Sequence, residues 1–113
     1  MNIQIFGTKK STDTRKAERF FKERGIKYQF IDLKEKGMTK GELTKVSQAV
    51  GGIDAMIDPS CRDQDLLALI RYIAPEQKTD KILENQSVLL QPIVRNGQKA
   101  TLGYQPDTWK SWD

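Results

Sequence analysis

The feature that most constrains how this chain can fold is a change of hydrophobic period that occurs twice. Residues 1–33 and 92–104 carry strand patterns, whereas residues 34–85 carry only helical ones. At the N-terminal end Ile3, Ile5 and Phe6 form a short apolar segment closed by Gly7, which predicts a first strand running into the polar loop TKKSTDT. A helix follows, with Thr12 or Asp13 as its N-cap; Ala17, Phe20, Phe21 and Arg24 recur at helical spacing until Gly25 stops it. Phe20 and Phe21 are then core residues. Ile26, Tyr28, Phe30 and the stretch 31–33 alternate with period two and favour β structure, so a second strand runs over about 27–33. The joining helix is long enough for a right-handed crossover, which makes this a parallel βαβ unit. No charged residue lies between Ile3 and Gly7, which suits a central strand buried on both faces.

The middle segment reads as three helices. Thr39 starts one with Leu43, Val46 and Val50 on a face and Gly51-Gly52 beyond it. Asp63 starts another with Leu66, Leu67, Leu69, Ile70 and Ile73, ending near Pro75, and a third, short one includes Ile82 and Leu83. Strand signals return at residues 92–95, followed by Asn96-Gly97 and residues 98–104. This is a β-hairpin with the Asn-Gly pair that a type I′ turn favours. Pro106-Asp107 opens a last short helix carrying Trp109 and Trp112. The order is βαβ, an all-helical insertion over about 35–88, then ββα: one α/β domain over 1–113 with a mixed four-stranded sheet.

Composition narrows the chemistry. At 113 residues, 37% of them hydrophobic and 30% charged, the chain has the size and apolar content of one self-folding domain that buries roughly two-thirds of its surface. No apolar run reaches the ~20 residues that span a bilayer and MNIQIFG lacks a signal peptide's regions, so a cytoplasmic protein is expected, with no membrane partner. Cys61 is the one cysteine and there is no histidine, which excludes an internal disulfide, a CxxC pair, and Ser-His-Asp, Cys-His and zinc-hydrolase chemistry within a single chain. No metal or cofactor is expected. The net charge of +4 is spread among interleaved acids and bases, reading as a solvated mixed surface rather than a nucleic-acid-binding one. Cys61 lies in a loop beside Arg62, Asp58 and Asp63, and reads as structural or incidental.

Several local sequences resemble one family. The run from Gly7 through Ser11-Thr12-Asp13-Thr14-Arg15-Lys16 to Ala17 is similar to the active-site loop and helix start of the arsenate reductase ArsC and Spx family. Asp32-Leu33-Lys34 leading to Gly37, and Pro92-Ile93-Val94 before a hairpin ending Gly103-Tyr104, match as well, so the resemblance spans the chain. It implies a thioredoxin-like fold in which Pro92 is cis and faces the active-site loop. It also implies that Ser11 stands where the family has its nucleophilic cysteine and Thr14 where Spx-like members have the second cysteine of CxxC. Arginines that bind the oxyanion in arsenate reductases correspond to Gln91, Gln105 and, approximately, Ser60, with Arg62 and Arg95 nearby but out of register. One substitution would account for Ser11 but not for Thr14, Gln91 and Gln105 together, which favours natural loss of the thiol over a single replaced cysteine.

A helix N-terminus lowers a thiol's pKa and steadies an anion, but a serine hydroxyl does not ionise near neutrality and cannot form the mixed disulfide through which such enzymes turn over. Two readings of the loop follow. In one, backbone N–H groups with Lys9, Lys10, Thr12, Arg15, Pro92 and Arg95 make a weak anion site; in the other these bases are solvated and Ser11 simply caps the helix. The resemblance implies two functional classes: a binding protein that docks, in the Spx manner, on the C-terminal domain of the RNA polymerase α subunit through a surface that includes Gly52, or a glutathione- or thioredoxin-linked oxidoreductase of the arsenate reductase type with its cysteine replaced at Ser11. Another cytoplasmic protein, a small anion or glutathione are the other partners expected.

Overall fold

The computed structural model describes residues 1–112; Asp113, the last residue of the expected domain, lies outside them. Strand β1 (Ile3–Gly7) leads into helix α1 (Thr12–Glu23) and strand β2 (Tyr28–Asp32). Helix α2 (Lys40–Val50), a 3-10 turn (Ile53–Met56), helices α3 (Gln64–Tyr72) and α4 (Pro75–Glu84) and a second 3-10 turn (Gln86–Val88) form the insertion. Strands β3 (Ile93–Asn96) and β4 (Lys99–Leu102) and helix α5 (Pro106–Lys110) complete the chain. The sheet order is β2-β1-β3-β4, with β1 parallel to β2 and antiparallel to β3, and β3 antiparallel to β4. This is the expected α/β architecture, a mixed thioredoxin-like sheet with β1 central.

Side-chain alternation along β1 divides the core in two. Ile3 and Ile5 face α1 and α5, packing with Ala17, Phe21, Val94 and Trp109. Phe6 faces the insertion with Ile31, Leu43, Ile70, Ile82 and Ile93. Register joins the two layers, since Ile5 sits opposite Val94 and Phe6 opposite Ile93. Phe21 is fully buried, as expected, whereas Phe20 is half-buried, edge-on to Trp109 at 5.3 Å. The exit from α1 satisfies its last carbonyls: the Ile26 N–H donates to Phe21 O and the Gly25 N–H to Lys22 O, with Gly25 at φ +68°.

Four local expectations are corrected. The α1 N-cap is Ser11, not Thr12 or Asp13, because the Ser11 hydroxyl accepts the Thr14 N–H at 3.2 Å. In the hairpin Asn96 pairs with Lys99, so the turn residues are Gly97-Gln98; only Gly97 has positive φ, which rules out a type I′ turn. Within the insertion, Ile57 forms an isolated antiparallel bridge with Leu89, in a stretch whose sequence carries no strand signal on its N-terminal side. The third helix, read as short around Ile82, starts at Pro75 and spans ten residues. Among the described residues no helix is long and apolar enough to cross a membrane.

Candidate functional site

The loop after β1 is built from its own polar groups. The Ser11 N–H donates to Thr8 O at 3.1 Å, the Arg15 N–H donates to Ser11 O at 3.2 Å, and the Ser11 hydroxyl caps α1. Thr14, one turn into the helix, is fully buried, and its hydroxyl has no hydrogen-bond partner among the described residues. It lies against the backbone of Gly7, where an added Cβ would meet the Thr14 methyl at 2.7 Å. Glycine at 7 is therefore a condition for bringing β1 this close to α1.

Across the loop lies the segment entering β3. The Gln91–Pro92 peptide is cis, as the resemblance implied, and Pro92 is buried. The Gln91 side-chain carbonyl accepts from both the Thr8 N–H (2.7 Å) and the Thr8 hydroxyl (3.0 Å). A third wall comes from the insertion: the Ile57–Leu89 bridge, with Asp58 N–H to Val88 O and Leu90 N–H to Met56 O at 2.8 Å each, delivers Asp58 to the loop. Asp58 accepts from the Ser60 N–H and hydroxyl at 2.9 and 2.7 Å.

Together these walls enclose an open cleft of about 470 Å³, lined by Ser11, Thr12, Asp13, Asp58, Ser60, Leu90 and Gln91. Among the described residues, two carboxylates and no lysine or arginine line it. Of the expected anion set, Thr12 lines the cleft, beside Ser11; Lys9, Lys10 and Arg15 are exposed and do not line it, nor does the buried Pro92. Arg95 is placed elsewhere altogether. It pairs with Gln4, three strand positions or about 10 Å from Gly7, where it donates to Gln4 Oε1 and Gly97 O. Gln105 is exposed and its amide is turned to Leu102 O. An oxyanion here would face Asp13 and Asp58, and Lys9, Lys10, Arg15 and Arg95 are not among the described residues that line this cleft.

The remaining expected positions lie outside the cleft. Gly52 is half-exposed at the start of the first 3-10 turn, at φ +129°, a backbone conformation that a side chain would strain. Cys61 is half-buried against the insertion core, its thiol 3.9 Å from Ser87 O, which fits a structural thiol. No group of three or more His, Cys, Asp or Glu residues that could hold a metal ion occurs among the described residues. The reading of the sequence missed Asp58 and Leu90 as cleft residues, because they are delivered by a bridge between segments about thirty residues apart.

No protein-family model matches the sequence, and a search of curated proteins finds no match. Solved structures do match. An arsenate reductase from Vibrio cholerae superposes with a TM-score of 0.84 at 21% identity, over 98% of this chain and 97% of that one. A protein from Staphylococcus aureus gives 0.79 at 24% identity, over 97% and 98%. An arsenate reductase (ArsC) related protein from Brucella melitensis gives 0.62 at 18% identity, over 99% and 94%. The chain thus shares, over its whole length, the thioredoxin-like fold of ArsC-type arsenate reductases, and at these identities the likeness is one of fold.

Proposed function

We propose that this chain is an arsenate reductase-like, thioredoxin-fold protein without thiol redox activity, which works in the cytoplasm by binding another protein. The observation that carries the reading is the state of position 11. Where the resemblance puts a nucleophilic thiol there is a hydroxyl, held as a helix cap on the Thr14 N–H and flanked in its cleft by Asp13 and Asp58. A capping hydroxyl cannot be oxidised to a disulfide, and the two carboxylates oppose both an attacking anion and an oxyanion substrate. The partner class implied by the Spx resemblance is the C-terminal domain of the RNA polymerase α subunit, met through the surface around Gly52.

A second reading keeps the oxidoreductase and treats Ser11 as a replaced cysteine. The observation in its favour is the retained frame: a helix N-terminus at position 11 opposite the cis Gln91–Pro92 bond. Glutathione-dependent arsenate reduction separates the two. The unmodified protein is expected to show none, and turnover by it would overturn the binding reading. Titration with the purified polymerase α C-terminal domain tests the partner: saturable binding that Gly52→Arg abolishes supports it, and no binding removes that partner.

A further inference from the structure

We propose that the cleft between the first 3-10 turn and helices α3 and α4 is a second binding site, which takes a phosphoryl group held by Lys78 and Arg71. Lys78 is the one charged residue buried among the described residues, 8% exposed. Its ammonium has three N–H donors, yet its one protein acceptor among the described residues is Asp54 Oδ1, at 2.9 Å. A buried cation is stable when its remaining donors are also satisfied, and here the groups that can satisfy them must come from the cleft.

The surroundings favour an anion over water alone. The cleft holds about 470 Å³ and is lined by Asp54, Ile57, Pro59, Arg71 and Lys78, a size suited to a phosphate with a small organic body. Arg71 lies in the last turn of α3 with no carboxylate within 4.0 Å among the described residues, so its planar fork is free to grip an oxyanion from the side. Asp54 is the weak member of the set. Its side chain is 70% exposed, so it can turn out into water when an incoming anion takes its place on Lys78. With Asp54 turned out, two cations line the cleft, and a dianionic phosphoryl group has three terminal oxygens to accept from the spare donors of Lys78 and the fork of Arg71. Ile57 and Pro59 form an apolar wall for the ester's organic part.

The test is a titration of the full chain, followed by backbone amide shifts, with inorganic phosphate and with phenyl phosphate at constant ionic strength set by sodium chloride. Saturable shifts are expected at residues 54–57, 71 and 78. Affinity should fall about tenfold or more in Lys78→Met, which replaces the buried ammonium by an apolar chain of similar length, and also in Arg71→Gln, an exposed change that leaves the fold alone. Asp54→Asn should bind phosphate more tightly, because it removes the competing carboxylate. Tighter binding of phenyl phosphate than of inorganic phosphate would assign a phosphomonoester; equal binding would assign free phosphate. Shifts no larger than those from chloride, affinity unchanged in both Lys78→Met and Arg71→Gln, or Asp54→Asn binding no better than the unmodified protein would each overturn the proposal.

Discussion

The side-chain carbonyl of Gln91 accepts two hydrogen bonds from Thr8, one from its N–H and one from its hydroxyl, and so ties the entry of β3 to the loop that follows β1. An arginine at 91 has five donors and no acceptor, so it would leave the mostly buried Thr8 N–H unpaired. We expect Gln91→Arg and Gln91→Ala each to lower unfolding free energy by about 1–3 kcal/mol in urea titrations. Neither substitution should create arsenate reduction, even together with Ser11→Cys. Unchanged stability of Gln91→Ala would show that the tether is dispensable.

Ser11→Ala should destabilise the protein by about 1 kcal/mol through loss of the α1 cap, and Ser11→Asp should restore most of it. Thermal unfolding of the two variants side by side gives the answer. Equal melting temperatures for Ser11→Ala and the unmodified chain would contradict a capping role.

Ser11→Cys should acquire a reactive thiol without efficient arsenate turnover. The N-terminus of α1 lowers the thiol's pKa from the ~8.5 of a free cysteine, while Asp13 and Asp58 act in the opposite direction. Adding Asp58→Asn should therefore move the midpoint of the alkylation rate to lower pH. Efficient arsenate turnover by Ser11→Cys alone would make a single replaced cysteine the better account of this site.

Thr14→Val removes a buried hydroxyl that has no partner among the described residues and is expected to stabilise the fold by about 1 kcal/mol. Gly7→Ala is expected to destabilise it, since the new Cβ collides with the Thr14 side chain. The pair should be strongly non-additive: Gly7→Ala with Thr14→Ala should recover much of the loss. Additive effects in a double-mutant cycle would mean that the two residues do not touch.

Tyr28 should titrate late. Burial first, then the hydrogen bond to Glu18 and that residue's charge, hold the phenol above its ordinary value of 10.0. The folded protein thus keeps this proton more tightly than the unfolded chain does. The resulting stability is fully present below pH 10 and is lost as pH rises through the folded-state value. In an ultraviolet titration of the three tyrosines, Tyr28→Phe should delete a component that titrates above 10.0 and Glu18→Gln should move it to lower pH.

The helix signals that could be read locally were those that a side chain makes with its own neighbourhood. Thr39 and Asp63 cap α2 and α3 where their spacing to the next apolar residues placed them, and Gly25 and Gly51 end the preceding helices. Helix α4 was harder to read, because only Lys78 and Ile82 of its ten residues are buried and Pro75 serves as its first residue as well as a stop for what precedes it. The Gly97-Gln98 turn differs from the expected Asn96-Gly97 turn because strand register, set by Val94 and Ile93 facing opposite cores, decides which two residues are left over.

Period and punctuation along the chain determined the βαβ unit, the helical insertion, the hairpin, and the absence of a thiol at position 11. Those properties depend on residues a few positions apart, whose interactions survive in any context. Tertiary structure alone decided the character of the cleft. Asp58 arrives there through the Ile57–Leu89 bridge, Gln91 through its bonds to Thr8, and Arg95 is carried to the far end of the sheet by the antiparallel pairing of β3 with β1. The charges in and beside the loop, at Lys9, Lys10 and Arg15, are exposed and do not line the cleft, because nearness in sequence does not set distance in space and long charged side chains favour solvent.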